Sequence, residues 1–349
     1  MNPDVAVVWL KRDLRTLDHL PFKWAIESGM PVIAIYLFEP ILLDAKMHLP
    51  RHWNFVQESL DDMSERLKVF KIPLLRLNQD FQSSFDLLSR WVNIKEVHSY
   101  QETGIGVTFD RDKEAITYFK SKGIQWHEYQ CNGVERARQN RYQWAQNWYQ
   151  FMSRPTDDPP YQNATPCNIE FDHQEFNFRY FQQDPYIDTR QKGGESKAWK
   201  YMKGFLDERG KKYAYQISKP TESRTSCSRI SPYLAWGCMS VKQSYQASKV
   251  RQKDVGWKRS IQGFQSRLRW HCHFIQKFEM EERAEHELFN KGYQSIPLRD
   301  SDEDFERWKN GTTGIPLIDA CMRCLKETGY VNFRMRAMLV SFHNHHLFL

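Results

Sequence analysis

The stretch GTTGIPLIDACMRCLKETGYVNFRMRAMLVSF, residues Gly311–Phe342, decides the fold of the second half of the chain. Its pattern predicts two helices joined by a tight turn. Pro316 suits the first turn of a helix, because a residue there needs no N–H hydrogen bond, and Gly329 suits a helix end. Between them, apolar and small side chains recur at helical spacing: Leu317, Ala320, Cys321, Cys324, Leu325 and Thr328.

The second predicted helix carries apolar side chains on two sides. One stripe consists of Met335, Met338, Leu339 and Phe342, and the other of Phe333, Ala337 and Val340. Because a helix that is apolar on both sides is normally buried, we expect Arg334 and Arg336 to be at least partly buried with it. Buried guanidinium groups need anionic partners or other acceptors. The pattern is compatible with structural ion pairs and with a site for an anionic ligand.

The spacing GxTGxPLIDAxMRxLxxTGYxxxRxRxxxxSF in this stretch closely resembles the flavin-binding helical domain of the DNA photolyase/cryptochrome family. The resemblance continues upstream in SRISPYLAWGCMS (Ser228–Ser240) and in the helix around Arg267–Phe274. It is also present in VVWLKRDLRTLDH (Val7–His19), near the start of the chain. These separated blocks follow the order of the family and together cover most of the chain.

The first part of the chain alternates short apolar runs with helical patterns. Predicted strands are Val5–Leu10, Val32–Phe38, Pro73–Leu77, Glu96–Tyr100 and Gln125–Tyr129, and predicted helices are Leu20–Ser28, Arg51–Phe70, Phe81–Val92 and Phe109–Lys122. This alternation predicts an α/β domain with a doubly wound parallel sheet. We therefore expect an α/β domain over residues 1–130, a helical and proline-containing linker over 131–192, and an all-α domain over 193–349.

No GxGxxG motif follows the first predicted strand, so we do not expect dinucleotide binding of the Rossmann type there. The resemblance implies a different ligand for this domain, an antenna chromophore of folate or deazaflavin type. The expected place for it is the crevice at the carboxyl ends of the strands. In the loop after the first strand, Arg12, Asp13, Arg15 and Asp18 predict a network of ion pairs in which Asp18 caps the next helix.

The linker begins with a basic, aromatic stretch, Val134–Met152, that we expect to be helical. Such a helix could face nucleic acid, but we favour packing of its aromatic side chains between the domains. The following residues 153–168 contain four prolines and are typical of a linker.

Composition narrows the class of protein. A net charge of +7 permits binding to nucleic acid without requiring it. No run of about 18 apolar residues predicts a membrane span. Seven cysteines without dense spacing indicate a reducing cytoplasm.

Two short motifs could suggest metal or redox chemistry. The pair Cys321 and Cys324 falls inside a predicted helix, so we expect it to pack in the core. We expect the histidines of HNHH (residues 343–346) to form a helix end instead of a metal site.

The segment Thr225–Ser240 has the features of a phosphate cradle. Ser231 followed by Pro232 predicts a helix start, where hydroxyl groups and free backbone N–H groups can hold a phosphate. Ordinary helix capping would also explain Ser231. The resemblance favours the first alternative, because Ser228, the backbone of Ile230, and Ser231 match positions that hold the FAD pyrophosphate. The resemblance also assigns a flavin contact to Tyr215. The family usually has a threonine directly before the serine that corresponds to Ser228, and this chain has Cys227 there.

The helix containing Phe264 and Trp270 matches the helix that supplies an aromatic wall to the pocket for flavin and pyrimidine dimer. Arg267 stands where the family usually has Glu or Gln, and His271 where it usually has Arg, an exchange that we expect to retain positive charge. Phe333 occupies the position of a flavin-facing Asn, while Arg336 keeps the arginine of the family. The resemblance thus implies FAD contacts by Tyr215, Ser228, Ile230, Ser231, Phe264, Trp270, Phe333 and Arg336, and DNA contacts by Arg267, Trp270, His271 and Arg334.

The sequence stops at HHLFL, where family members continue with segments that close over the flavin ring. We therefore expect a C-terminally truncated chain whose retention of FAD is weak and whose Arg336 lacks its natural acidic partner. No metal and no catalytic side chain are implied, since the family uses electron transfer from its flavin.

The function implied by the resemblance is light-dependent repair of DNA, in which excited reduced FAD donates an electron to a pyrimidine dimer. The partner would be DNA that contains such dimers, and the protein would be a monomer. The changes at Arg267, His271 and Phe333 would permit a cryptochrome-type blue-light receptor without repair activity. A third alternative is a basic binding module that holds no flavin.

Overall fold

The computed structural model describes residues 2–45 and 47–349 of the chain. Its first part contains a five-stranded sheet in which all neighbouring strands are parallel. The strands are β1 (Asp4–Leu10), β2 (Val32–Leu37), β3 (Leu74–Leu77), β4 (Asn93–Tyr100) and β5 (Gln125–Tyr129). Their order in space is β3-β2-β1-β4-β5, which places the reversal of strand order between β1 and β4. Open parallel sheets bind ligands at such a reversal, beyond the carboxyl ends of the strands.

Helices cover both faces of this sheet. They are α1 (Leu20–Glu27), α2 (Pro40–Leu43), α3 (Pro50–Lys68), α4 (Phe81–Leu88) and α5 (Gly106–Ser121). In β1, Ala6, Val8 and Leu10 belong to one core, and Val5, Val7 and Trp9 belong to the core on the opposite face. This alternation explains why nearly every residue of β1 is apolar. The five predicted strands and the four predicted helices are confirmed, with ends that differ by a few residues.

Residues 131–192 contain the helices α6 (Trp144–Ser153) and α7 (His173–Phe176). The prediction of one helix over Val134–Met152 is wrong for its first half. Ala137 and Gln143 have φ angles of 57° and 58°, and such left-handed residues interrupt a right-handed helix. The tryptophans of α6 pack inward as expected, with Trp144 and Trp148 buried, but Tyr142 and Tyr149 of the same stretch are exposed.

The remainder of the chain is helical, as predicted. It contains α8 (Glu195–Asp207), α9 (Tyr213–Gln216), α10 (Ser223–Ser226), α11 (Ser231–Ala235), α12 (Val241–Lys249), α13 (Lys258–Met280), α14 (Asp302–Asn310), α15 (Pro316–Thr328) and α16 (Phe333–Ser341). Phe205 of α8 and Phe264 of α13 belong to the same core as Ala6 and Val8 of the sheet. The α/β part and the helical part therefore share one continuous apolar core.

The loop after β1 joins the two parts through buried polar groups. The prediction that Asp18 caps α1 is wrong, because His19 occupies the cap and its Nδ1 accepts a hydrogen bond from the Phe22 N–H at 3.3 Å. Asp18 instead accepts hydrogen bonds from the hydroxyl of Ser240 at 2.5 Å and from Nζ of Lys242 at 2.9 Å. The predicted network of ion pairs is thus only partly present: Asp18 pairs with a lysine of the helical part, whereas Arg15 donates to the backbone carbonyl oxygens of Asp18 and Gly237.

The hairpin of α15 and α16 follows the sequence prediction closely. Pro316 is the first residue of α15, and Gly329 ends it with a φ of 67°. Cys321 and Met335 lie in a separate third core between the two helices. The C-x-x-C pair lies within α15, and residues Phe342–His346 form a π-helical turn at the end of α16.

The described residues 2–45 and 47–349 contain no cluster of three or more His, Cys, Asp or Glu side chains arranged to hold a metal ion. None of their helices has the length and apolar character needed to cross a membrane.

Candidate functional site

A cavity of about 680 Å³ opens in the helical part of the chain. Its volume lies in the range of ~300–1,000 Å³ that is typical of small-molecule and cofactor sites. Helix α13 contributes Phe264, Arg267, Leu268, Trp270, His271 and Phe274 to its wall, and α16 contributes Phe333, Arg336, Ala337 and Val340. The loop before α11, residues 227–231, forms another part of the wall. All the predicted cofactor contacts except Tyr215 therefore meet in one place.

The loop before α11 has a geometry suited to an anion. Arg229 has a left-handed φ of 63°, and Ile230 follows in the right-handed helical region with a φ of −88°. Successive residues of opposite hand turn their N–H groups toward one concave side, which is a common anion-binding arrangement. The N–H groups of Ser228, Arg229 and Ile230 have no hydrogen-bond acceptor among the described residues. We refer to residues 228–231 as the Ser228–Ser231 turn.

Helix capping does not account for Ser231. The cap of α11 is Ile230, Ser231 is its first residue, and no side-chain hydrogen bond closes this helix start. The prediction that Ser231 is the N-cap is wrong, because the left-handed Arg229 starts the helix one residue earlier than the Ser-Pro pattern suggests. Ser231 is exposed and lines the cavity instead.

The opposite wall combines aromatic rings with one guanidinium group. The Arg267 guanidinium carbon lies 3.9 Å from the centroid of the Trp270 ring and 5.4 Å from that of Phe333. Its Nη1 is buried and has no hydrogen-bond partner among the described residues. Because this nitrogen is closed to solvent, it is not a point of attachment for a ligand, and Arg267 meets the cavity through other atoms of its side chain.

His271 lies between this cavity and a second one of about 250 Å³. Burial lowers the pKa of His271 to about 4, so the imidazole is neutral at pH 7. The expectation that His271 retains the positive charge of an arginine is therefore wrong. A neutral imidazole can both donate and accept a hydrogen bond, whereas arginine can only donate.

Arg336 and Arg334 are exposed, which overturns the prediction of their burial. The second apolar stripe of α16 faces the open cavity instead of a core, so Phe333 remains 44% and Val340 54% exposed. Neither arginine forms an ion pair with the described residues. Asp319 accepts hydrogen bonds from the N–H groups of Thr313 and Gly314 and does not reach Arg336.

We expect Arg336→Met to change the free energy of unfolding by less than ~0.5 kcal/mol, because an exposed, unpaired side chain contributes little to folding. Arg334→Met is the matched control on the same helix, and urea denaturation of both variants measures the effect. A loss of 2 kcal/mol or more in Arg336→Met alone would mean that Arg336 already has a strong partner within the fold.

The placement of Tyr215 in the site is not supported by the geometry. Tyr215 is 64% exposed and its ring lies under the guanidinium of Arg259 at 5.0 Å. Tyr213, two residues earlier, is 5% exposed and lines the cavity. Residues two apart lie on different faces of a helix, so α9 can direct only one of the two tyrosines into the site.

The sequence interpretation also missed Arg229 and Tyr330. The Arg229 guanidinium carbon lies 3.8 Å from the centroid of the Tyr330 ring, and both residues line the cavity. This contact joins the Ser228–Ser231 turn to the loop between α15 and α16. The motif TGY contained Tyr330, but no periodicity marks a residue that acts from a loop.

A second cavity, of about 250 Å³, lies at the carboxyl ends of β1 and β4, where the strand order reverses. Lys11, Arg12, Tyr100 and Gln101 contribute to its wall. The deeper part of the crevice, toward β2, retains only about 30 Å³. It is filled by an ion pair of 2.5 Å between Arg111 and Glu39 and by three tryptophans, Trp9, Trp53 and Trp236.

Two family profiles match the chain. One, described as DNA photolyase, matches residues 6–143, and the other, described as the FAD binding domain of DNA photolyase, matches residues 264–349. Cryptochrome DASH of Synechocystis sp. is 25% identical over 367 residues, covering 97% of this chain and 74% of that protein. The deoxyribodipyrimidine photo-lyase of Vibrio cholerae is 25% identical over 363 residues, covering 97% of this chain and 75% of that protein.

Solved structures share the same fold. A Synechocystis cryptochrome superposes with a TM-score of 0.87 at 23% identity, covering 100% of this chain and 76% of that one. A bacterial class III photolyase from Agrobacterium tumefaciens superposes with a TM-score of 0.85 at 22% identity, covering 100% and 74%. These likenesses confirm the predicted architecture, an α/β domain with a parallel sheet followed by a helical domain.

Proposed function

Because the chain belongs to the DNA photolyase/cryptochrome family, we propose that it is a light-dependent DNA repair flavoprotein that splits pyrimidine dimers. One observation carries the proposal: a cavity of about 680 Å³ with an anion-binding turn in one wall and exposed aromatic rings in another. An enzyme that acts on an extruded base needs such a pocket next to its cofactor.

The residues of the cavity fit FAD. The free N–H groups of the Ser228–Ser231 turn and its two serine hydroxyls would hold the pyrophosphate. Three aromatic rings of the wall would enclose the apolar parts of the cofactor, namely those of Phe264, Trp270 and Phe333. Arg336 would lie near the charged groups of the cofactor. When bound and reduced, FAD supplies electron transfer under light. Since Phe333 and Val340 leave the cavity open to solvent, we expect FAD to exchange freely instead of copurifying.

The remaining side chains would receive the lesion. The exposed ring of Trp270 offers a surface on which a flipped pyrimidine can stack. Arg267 and the neutral His271 line the same cavity, where the guanidinium can donate a hydrogen bond to a pyrimidine carbonyl and the imidazole can donate or accept one. Arg334 is exposed on α16 and would contact phosphate.

We expect Ser228→Ala and Ser231→Ala each to raise the Kd for FAD about tenfold, because a hydrogen bond to a charged group contributes ~1.5–3 kcal/mol. Thr225→Ala is the matched control, since Thr225 is exposed in the same segment but does not line the cavity. Flavin fluorescence during titration with FAD measures the three constants. Equal Kd values for all three variants would show that the serine hydroxyls of the turn do not hold the cofactor.

The proposed activity is tested by illuminating the FAD-loaded, reduced protein with dimer-containing oligonucleotide and measuring the loss of dimers. We expect repair in blue light and none in the dark.

A second function, a blue-light receptor without repair, is favoured by Arg267, His271 and Phe333, which differ from the usual family residues. A light-dependent change in the FAD absorption spectrum without loss of dimers would identify that function. Failure to bind FAD would instead favour the third alternative, a basic binding module without flavin.

An antenna chromophore is proposed only for the cavity at the ends of β1 and β4. The deeper crevice does not fit one, because the Arg111–Glu39 ion pair and the tryptophans fill it. The outer cavity, about 250 Å³, is slightly smaller than most small-molecule sites. Its exposed Arg12 has no carboxylate partner among the described residues. We therefore propose weak binding of a folate or deazaflavin, measurable by equilibrium dialysis.

We further propose that the protein is a monomer in a reducing cytoplasm. All seven cysteines are free thiols, and five of them are buried, which suits a compartment where thiols stay reduced. Gel filtration of the purified chain reports its oligomeric state.

A further inference from the structure

Helices α14, α15 and α16 pack around an apolar core of their own. We call residues 302–341 the α14–α16 unit. Its core consists of Ile318, Cys321, Met322, Val331, Met335 and Leu339. Trp308 of α14 packs against this core, and its Nε1 donates to the carbonyl oxygen of Leu339 at 3.2 Å. None of these side chains belongs to the core that α8 and α13 share with the sheet. Apolar packing therefore fixes the three helices to one another without fixing them to the rest of the chain.

The cavity of about 680 Å³ lies between this unit and the core shared with the sheet. Helix α16 contributes Phe333 and Val340 to its wall. Another part of the wall contains Phe264 and Leu268, which belong to the shared core. The width of the cavity therefore depends on how the α14–α16 unit is attached to the rest of the chain.

Hydrogen bonds attach the unit at one end only. Within the described part of the chain, those that connect residues 2–280 with the unit all reach positions 324–332, around the turn from α15 to α16. On the α16 side of this turn, Nδ2 of the buried Asn332 donates to the carbonyl oxygen of Lys219 at 3.1 Å and to the Ser223 hydroxyl at 2.8 Å. At the far end of α16, Val340 is exposed.

Arg51 attaches the other side of this turn to the α/β domain. It is the second residue of α3, and it donates from Nη1 to the carbonyl oxygen of Leu325 at 3.3 Å and from Nη2 to that of Lys326 at 2.6 Å. Thr189 of the linker places its hydroxyl 2.6 Å from the next carbonyl oxygen, that of Glu327, which is the nearer of its two acceptors. Three consecutive carbonyl groups at the end of α15 thus contact side chains from outside the unit.

The charge of Arg51 suits this contact. The C-terminus of a helix carries a partial negative charge, which a cation stabilises, whereas a cation in the first turn of a helix is unfavourable. Arg51 lies in the first turn of its own helix, which has no acidic residue there. Three carboxylates of α3 pair with other cations, namely those of Glu58, Asp61 and Asp62. The end of α15 is therefore the favourable electrostatic partner of Arg51.

The end of α15 leads directly into the wall of the cavity. Tyr330 follows three residues after Glu327, and its ring centroid lies 3.8 Å from the guanidinium carbon of Arg229 in the Ser228–Ser231 turn. Both Tyr330 and Arg229 line the cavity, whereas Arg51 does not. A shift at the end of α15 would therefore change the cavity although Arg51 touches no part of it.

We propose that Arg51 is a positioning residue, which sets the width of the cavity by holding the end of α15 against the α/β domain. This inference rests on the proposed function, because FAD is the ligand for which the width matters. Thr189 contributes less than Arg51, since a neutral hydroxyl donates a weaker hydrogen bond than a guanidinium group does.

Hydrogen exchange, followed by mass spectrometry, tests the attachment in the flavin-free chain. We expect peptides from α15 and α16 to exchange about tenfold faster in Arg51→Ala than in the parent protein, because opening of the unit no longer breaks hydrogen bonds to a charged donor. Peptides from β1 and β4 should keep their rates. Lys68→Ala, an exposed lysine on the same helix, is the matched control and should change neither rate. A merely structural role of Arg51 within α3 would speed exchange in the sheet as well, since α3 packs on its core.

Titration with FAD, followed by flavin fluorescence, tests the consequence for the cavity. We expect the Kd for FAD to rise about tenfold in Arg51→Ala, about threefold in Thr189→Val, and not at all in Lys68→Ala. Arg51→Lys should recover part of the affinity, because lysine keeps the positive charge at the end of α15 but lacks the rigid fork that reaches two carbonyl groups.

Each outcome decides one step of the proposal. Faster exchange throughout the sheet in Arg51→Ala would overturn it, and so would unchanged exchange of α15 and α16 in both Arg51→Ala and Thr189→Val. Faster exchange of these helices with an unchanged Kd for FAD would overturn the positioning role. If Arg51→Ala does not fold, Arg51→Lys and the exposed Thr189→Val decide in its place. If the parent protein does not bind FAD, the proposed function fails, and the exchange rates still decide whether Arg51 holds the α14–α16 unit.

Discussion

Replacing Gly237 with alanine is expected to destabilise the protein by about 3 kcal/mol or more. Gly237 has a φ of 69°, a region that costs an L-residue roughly 1–2 kcal/mol. A methyl group there would also lie 2.0 Å from the carbonyl oxygen of Arg12 and 2.5 Å from Cα of Asp13. Since these are backbone atoms, relief of the clash requires the loop after β1 to separate from the helical part, an overpacking cost of ~1–3 kcal/mol.

Gly29→Ala is the matched control for Gly237→Ala. Gly29 also has a left-handed φ, 76°, but no atom lies within 4 Å of the position that a methyl group would occupy. We therefore expect Gly29→Ala to cost only the conformational part, roughly 1–2 kcal/mol. Chemical denaturation of both variants isolates the contribution of the close contact as the difference. Similar losses in the two variants would mean that the loop after β1 can move away from Gly237 at little cost.

The contact at Gly237 also bears on the proposed cofactor site. Arg15 donates a hydrogen bond to the carbonyl oxygen of Gly237 at 3.2 Å, and the N–H of Leu14 donates to that of Trp236 at 3.1 Å. These bonds attach the segment after α11 to the loop after β1, and α11 begins within the Ser228–Ser231 turn. Displacement of this segment in Gly237→Ala should therefore weaken FAD binding as well as folding.

Much of the fold could be predicted because its signals are local or periodic. β1 is buried on both faces, so its uninterrupted apolar run marks a strand of a parallel sheet. Gly329 marks the end of α15, since a left-handed residue there favours glycine. In both cases the neighbouring residues in the chain create the constraint, and the sequence displays it directly.

The site was less predictable where a contact depends on distant parts of the chain. Arg336 was expected to be buried because α16 is apolar on two sides, but one of those sides lines a cavity. Periodicity cannot distinguish a stripe that faces a core from one that faces a ligand site. In the same way, the left-handed conformation of Arg229 gives the Ser228–Ser231 turn its shape, and no glycine or asparagine in the sequence announces it.

Lys242 is another residue whose role the sequence does not reveal, and Lys242→Met is expected to destabilise the protein by ~3–5 kcal/mol. Its ammonium group is buried and lies 2.9 Å from a carboxylate oxygen of Asp18 and 2.8 Å from one of Asp157. The substitution leaves Asp18 charged and buried without the cation that contacts its carboxylate, which is the costly way to break such a pair. Lys249→Met, an exposed lysine on the same helix, should change stability by less than ~0.5 kcal/mol.

The effect of Lys242→Met should depend on pH in a defined direction. Burial raises the pKa of Asp18, but Arg15 and Lys242 beside it outweigh burial, so the pKa lies below its ordinary value of 3.8. The unfolded chain then binds more protons than the folded one between these two values, and the stabilisation by Asp18 is complete above 3.8 and lost as pH falls through the lower pKa. Urea denaturation at several pH values should therefore show that the difference in unfolding free energy between Lys242→Met and the parent protein shrinks below pH 3.8.

In the Asp18→Asn background, Lys242→Met should lower the free energy of unfolding clearly less at pH 7, because only Asp157 remains to pair with the lysine. If the cost is the same with and without the Asp18 charge, then Lys242 stabilises the junction of the two parts through Asp157 and packing, and the proposed pairing across the loop after β1 is wrong.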